Sequence, residues 1–346
     1  MEFICRKKEA RFLDPFNGFN EGTRECEIRE DPLTGRNSRI LYFPLHEFPE
    51  PDLSGLIEKS SGGICPFCPD MVEKITPKYD PDRFSQERYR VGRAICFPNA
   101  FPYDENGSVT VISEDHFLHI REFTADMIRD AISCCVEFLK DVSASQPEAV
   151  YQSINWNYLP LAGSSIVHPH LQITASTSPT NYYTDVYTNW EKSGRSSVQA
   201  LFNELVEEEK QRQVRFLDQN GMFSWLLAFA PMGVFDVMGI PGQMIEPADL
   251  RGSVLDDLVD GIMKSINFID SVRLYSFNMS IYFQTGSDSF YPHVRICPRA
   301  SIPPLDTSEI NYMKMLHSEP MSPMVPEVIA GKLKEFWKSW RPSGSI

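Results

Sequence analysis

The chain has 346 residues, 42% of them hydrophobic and 12% aromatic, enough to bury one large core or two ordinary ones. Its formal net charge of −14 argues against a nucleic-acid surface, which needs a basic stripe to neutralise phosphates. It leaves room for a small anion held by local arginines and backbone amides. No run approaches the roughly 18 apolar residues of a membrane span. The opening MEFICRKKEARF also lacks the apolar stretch and cleavage site of an export signal. With eight scattered cysteines, the expectation is a cytoplasmic chain with reduced thiols or a metal site rather than a disulfide framework.

Residues 1–60 read as irregular and turn-rich, with 29-REDPLTGR-36 a turn that Asp31-Pro32 opens and Gly35 closes. Segment 61–85 reads as a loop rich in Gly, Pro and Cys. The stretches 88-RYRVGRAICF-97 and 107-GSVTVIS-113 alternate or run apolar, as strands do. Thr124 is the N-cap expected of a helix running to about Val142, with Met127, Ile128, Ala131, Ile132, Cys135 and Phe138 as its apolar stripe. Two strands follow, 149-AVYQSINWNY-158 and 166-IVHPHLQITAS-176, joined by a Pro/Gly loop.

Residues 178–195 read as a polar, aromatic loop, and 198–213 as a charged helix. The second half then repeats the order of the first: strand-like 224–240, helical 247–270, and strands 277–283 and 292–298. An amphipathic helix over 325–340 closes the chain. The recurrence suggests an internal duplication, with no residue-level repeat to mark it.

Two features carry chemistry. In 163-GSSIVHPHLQ-172 the strand alternation puts His168, His170 and Gln172 on one face, with Pro169 and Leu171 on the other. Two of only seven histidines sit there, where a plain polar face would use Thr, Lys or Glu. Proline inside such a strand fits a place near a sheet edge, where its missing donor is not needed. The second feature is 65-CPFC-68, whose spacing suits two thiolate ligands of one tetrahedral zinc. A further CxxC never follows, so the remaining ligands must be histidines: His116 or His119, and one of the His-Pro-His pair.

Together these motifs resemble the galactose-1-phosphate uridylyltransferase family of the histidine-triad superfamily. The order 29-REDPLTG-35, 65-CPFCP-69, 97-FPNAFP-102, 115-DH-116 and 163-GSSIVHPHLQ-172 covers most of residues 29–175. The resemblance implies an α+β fold of two duplicated histidine-triad-like halves, each an antiparallel sheet with packed helices. Residues 1–195 would carry the zinc and active sites, and 196–346 the second half. It implies Cys65, Cys68, His116 and His168 as zinc ligands and His170 as the nucleophile attacking an α-phosphate. Gln172 and Ser165 would contact phosphate oxygens, with Gly163 and Ser164 in the same loop. Asn157 and Asn99 would contact the nucleotide. His119 is left as a partly exposed loop residue.

The implied activity is nucleotidylyl transfer by double displacement through a covalent nucleotidyl-histidine. A UDP-sugar or similar nucleoside diphosphate donor would pass its nucleoside monophosphate to a hexose 1-phosphate or inorganic phosphate. Phosphorolysis of ADP-glucose or adenylylsulfate is the alternative, and a nucleotide-binding zinc protein without turnover is a third reading. A homodimer is expected by the same analogy, with neither nucleic acid nor membrane as partner. The resemblance thins in the second half. There 290-FYPHVRICPR-299 keeps only His293 of a paired His-x-His, so no second metal is implied. Met315 and Met321 stand where sugar-contacting glutamate and glutamine are expected, and core packing is their plainest reading.

Overall fold

The computed structural model describes residues 1–42, 48–302, 305 and 307–341. Strands β1 (Cys5–Asp14), β2 (Asn20–Glu30) and β3 (Asn37–Leu41) form a small antiparallel sheet, which Met321–Ser322 joins in parallel beside β3. The irregular stretch expected over 1–60 is therefore largely a long hairpin. Its side chains face water on both sides of β1, and that left no hydrophobic alternation to read. The turn at 31–36 forms as expected: Leu33 N–H donates to Asp31 Oδ1 at 3.0 Å, and Gly35 takes φ +69°.

Helices α1 (Ser54–Ser61) and α2 (Pro69–Ile75) follow, the second inside the expected loop. Next come β4 (Tyr89–Val91), β5 (Ala94–Pro98), β6 (Asn106–Val111), α3 (Ala125–Ser145), β7 (Tyr151–Tyr158) and β8 (His170–Ser176). Thr124 caps α3 as expected, its side chain accepting from Met127 N–H. The segment 178–195, expected as a loop, is helix α4 (Asn181–Ser193); Tyr183 and Val186 bury one side of it, and Gly194 stops it in the left-handed region. Then follow α5 (Val198–Arg212), β9 (Phe216–Asn220), β10 (Phe223–Leu227), β11 (Val237–Pro241), α6 (Gly252–Ser271), β12 (Ser276–Gln284), β13 (His293–Arg299), α7 (Tyr312–His317) and α8 (Pro326–Ser339). The apolar run 224–240 is thus two paired strands and the loop between them.

Ten strands make one antiparallel sheet in the order β4-β5-β6-β8-β7-β12-β13-β11-β10-β9. Read from either edge, it is the same sequence of equivalent elements, so the α+β fold is two repeated halves joined at β7·β12. Asn155 lies opposite Ser280 at that seam. Helices α3 and α6 cover one face, and a single core runs through both halves, from Phe138 and Trp156 to Trp225 and Ile266. On the other face, the alternation of β7 and β12 leaves Ser153, Asn155, Asn157, Asn278, Ser280 and Tyr282 half-buried.

The hairpin turns of the two halves carry a residue-level trace of the repeat. Gly92 between β4 and β5 and Gly221 between β9 and β10 take φ +52° and +51°. A Cβ on either would lie 1.9 Å from a carboxylate oxygen, of Asp130 on α3 or Asp257 on α6. Gly221→Ala should therefore cost about 1–2 kcal/mol for the left-handed backbone alone. It would also displace Asp257 from Met222 N–H. A lower midpoint in chemical denaturation checks this, with Gly92→Ala expected to lose a similar amount.

Candidate functional site

The site begins where the 61–85 segment meets the end of β6. Pro69 starts α2 with its φ already helical, and the N–H groups of Met71 and Val72 close on the Cys68 carbonyl at 2.9 Å. That turn brings Cys65 and Cys68 side by side. Beyond β6 the ladder continues, Ile112 N–H donating to the Pro169 carbonyl at 3.0 Å, so residues 113–116 pass beside 168–169.

Cys65, Cys68, His116 and His168 converge, their ligand atoms all within 4.8 Å of one another. Tetrahedral zinc bonds of about 2.3 Å to sulfur and 2.05 Å to nitrogen place S and N roughly 3.5 Å apart. The separations are 3.7 Å from Cys65 Sγ to His168 Nδ1, 3.4 Å from Cys68 Sγ to His116 Nδ1, and 3.7 Å from Cys68 Sγ to His168 Nδ1. The tautomers suit ligation as well. His168 Nε2 donates to the Ser113 carbonyl at 2.8 Å, which leaves Nδ1 as the lone-pair atom facing the sulfurs. His116 Nε2 lies 3.1 Å from Ser60 Oγ on α1. Burial pushes His168 down to about 4, keeping the imidazole neutral. Burial, then the neighbouring Cys65, raises Cys68 to about 11, a strain that a divalent cation would reverse. The donor set fits a metal ion with four protein ligands. Of the two candidates near 116, the structure brings in His116; His119 instead caps a short turn through Glu122, half-buried beside Phe117.

His170 opens β8, fourth of the ten strands. The expectation that Pro169 marks a sheet edge is therefore wrong. Proline is tolerated because it sits one residue before the strand begins and contributes only its carbonyl to the ladder. His170 Nδ1 lies 2.8 Å from the His168 carbonyl and donates to it, while Phe67 packs its ring 5.1 Å from the imidazole. Burial holds its pKa below the ordinary value, so the ring is neutral. Its Nε2 is bonded to no described residue and is not sealed from solvent. Gln172 shares the face two residues on, half-buried, and Asn157 Nδ2 reaches its Oε1 at 3.4 Å.

The loop between β7 and β8 bends through left-handed Leu159 and Gly163. Ser164 is buried and spends its hydroxyl on the Ile166 carbonyl at 2.6 Å; Gly163 and Ser165 stay exposed. Asn99 leaves β5 half-buried, its Oδ1 accepting from Phe101 N–H at 3.0 Å. Sequence reasoning missed Asn278 on β12, whose Nδ2 donates to Asn157 Oδ1 at 2.7 Å and to the Ala162 carbonyl at 2.8 Å. Nothing local to residue 278 signals that role, because strand pairing across the seam creates it.

The second half builds the same frame and closes it. His293 opens β13 as His170 opens β8, and its Nδ1 also lies 2.8 Å from the carbonyl two residues back. Here Tyr182 meets Nε2 at 2.7 Å, and Arg295, in the place of Gln172, is buried against Asp236 and Asp31. Met315 is 68% exposed on α7 and Met321 lines a cavity of about 200 Å³ beside Asn278, so neither is plain core packing. All eight cysteines are free thiols, and no helix among the described residues is long and apolar enough to cross a membrane.

The fold is that of the galactose-1-phosphate uridylyltransferase-like proteins. An ADP-glucose phosphorylase from Arabidopsis thaliana with bound ADP-glucose superposes with a TM-score of 0.66 at 16% identity, over 90% of this chain and 99% of that one. A uridylyltransferase does so with a TM-score of 0.63 at 17% identity, over 91% and 99%. No family profile matches the sequence. An uncharacterised protein of Archaeoglobus fulgidus is 31% identical over 342 residues, 97% of this chain and 99% of its own length, and the chain belongs to the same family as that protein.

Cys65→Ser should weaken metal binding by more than the roughly 10–100-fold that follows loss of an outer partner. It should lower the thermal midpoint as well, because binding and folding are coupled at such a site. Elemental analysis with a melting curve checks both; a wild-type chain without metal would remove the scaffold argument.

Proposed function

We propose that the protein is a nucleotidylyltransferase in which His170 carries the nucleotide between donor and acceptor. The observation that supports this most is the state of His170: neutral, its Nδ1 committed to its own strand, and its Nε2 unpaired on the face shared with Gln172. The Nε2 lone pair attacks the α-phosphorus of a nucleoside diphosphate-type donor, and the P–O bond to the sugar phosphate or other leaving group breaks. An oxygen of the acceptor, a hexose 1-phosphate or inorganic phosphate, then attacks the same phosphorus. The P–N bond breaks and the imidazole is regenerated.

The committed Nδ1–H keeps one tautomer and bears the positive charge that develops during each displacement. Gln172 can orient a phosphate oxygen but cannot act as acid or base, which favours an intermediate that waits for a phosphate acceptor over one that hydrolyses. In this reading Gly163 and Ser165, exposed on the adjoining loop, meet a neighbouring phosphate, and Asn157 and Asn99 contact the nucleotide. Cys65, Cys68, His116 and His168 would hold a structural zinc, whose chemistry is to fix the strand rather than to bind water, since four protein ligands leave no open position. The same reading includes a homodimer, by analogy of fold.

The test is trapping of label from UDP-glucose, ADP-glucose and adenylylsulfate, each radiolabelled in the phosphate attached to the nucleoside. Wild type should retain label, and phosphate or a hexose 1-phosphate should release it as nucleotide product. His170→Gly should lower transfer by at least about 10³-fold while keeping its metal. Retention of label by that variant, or no label on wild type from any donor, overturns the reading.

A further inference from the structure

A row of hydrogen bonds crosses the sheet from the second half to the strand of His170. Arg299 on β13 is held by Glu309 and donates from Nη1 to Asn278 Oδ1 at 3.3 Å. Asn278 Nδ2 donates to the Ala162 carbonyl and to Asn157 Oδ1, and Asn157 Nδ2 reaches Gln172 Oε1. An amide can face either way, but this row has one direction. A guanidinium only donates and a backbone carbonyl only accepts, so Asn278 has its orientation fixed from two sides. That fixes Asn157, which in turn turns Gln172 so that Oε1 looks inward along the row. Gln172 Nε2 meets no partner among the described residues and is the end of the amide left for a ligand on the face shared with His170.

We propose that Asn278, backed by Arg299, is a positioning residue of the second half that sets the polarity of Gln172. With it, Gln172 presents an N–H to the phosphate oxygens at His170; reversed, it would present a carbonyl oxygen and repel them. The same Nδ2 ties the backbone at Ala162, and with it the Gly163–Ser165 loop, to β12. The inference rests on the nucleotidyl-transfer reading above, and it gives the non-nucleophilic half of the chain a defined part in that reaction.

The experiment compares Asn278→Asp with Asn278→Leu, measuring the rate of label transfer to His170 from whichever donor labels wild type. Aspartate keeps the shape but can only accept, so Asn157 must turn its N–H towards it and Gln172 must turn its own N–H inward. Leucine removes the constraint without imposing the opposite one. Asn278→Asp should slow labelling about 10²-fold, in the range of losing one preorganised donor, and Asn278→Leu should slow it less. The loss should fall on kcat rather than on KM for the donor, with metal content unchanged.

In a Gln172→Leu background there is no amide to orient, so the two Asn278 substitutions should become equal. A role confined to the tie at Ala162 predicts instead a difference that persists in that background, because both substitutions cut that tie whether or not an amide stands at 172. The proposal is overturned if Asn278→Asp labels at the wild-type rate, if Asn278→Leu is the slower of the two, or if their difference persists without Gln172. Should Asn278→Asp fail to fold, Arg299→Leu replaces it, expected to slow labelling several-fold in wild type and not at all in the Gln172→Leu background. Labelled wild type with an unaffected Asn278→Asp would sink this inference alone; no label on wild type would sink the transfer reading and this inference with it.

Discussion

The pairing of β7 with β12 is the contact on which the rest of the molecule depends. It makes one ten-stranded sheet from two five-stranded halves, and lets a single core run beneath both. It also decides the chemistry above. Placing Asn155 opposite Ser280 brings Asn157 opposite Asn278, so polar groups of the two halves meet at the centre of the open face. A polar row there would be costly if sealed without partners. It is tolerated because its members bond to one another and remain half-buried, beside the space a ligand would enter.

The halves share a frame and differ in what they leave free. Each begins its last strand with a histidine whose Nδ1 is committed to a carbonyl two residues back. In the first half the group of Cys65, Cys68, His116 and His168 lies beside it and Nε2 stays open. In the second, Tyr182 from α4 covers Nε2, and Arg295 with its two carboxylates fills the place of the glutamine. The closed half is not idle in this picture, since its β12 and β13 supply the groups that orient the open one.

Much of the site was legible because its signals are local. His170 and Gln172 share a face by the period of a strand, though His168 falls just before β8 begins, and Cys65 with Cys68 is a spacing. The family resemblance chose His116 over His119, and the physical reason is the run of residues 113–116 past 168–169, which the Ile112–Pro169 hydrogen bond sets. The errors have physical causes too. The β1–β2 hairpin is solvated on both faces of β1 and shows no alternation, and α4 looked like a loop because tyrosines and threonines carry weak helix preference. Proline at 169 suggested an edge because its ladder role, acceptor only, depends on where the strand starts.

By itself the sequence determined the chemical inventory: two cysteines at metal-ligand spacing, histidines able to complete the set, a His-Pro-His pair followed by an amide, and two halves of similar order. Those follow from short-range periodicity and spacing, which the covalent chain imposes. Only the tertiary structure decided which ring nitrogens are free, since carbonyls at Ser113 and His168 assign the protons. It alone linked Asn278 and Arg299 to Gln172, through Asn157. Residues more than a hundred positions apart become neighbours only when two strands pair, and no local pattern encodes which atoms then face one another.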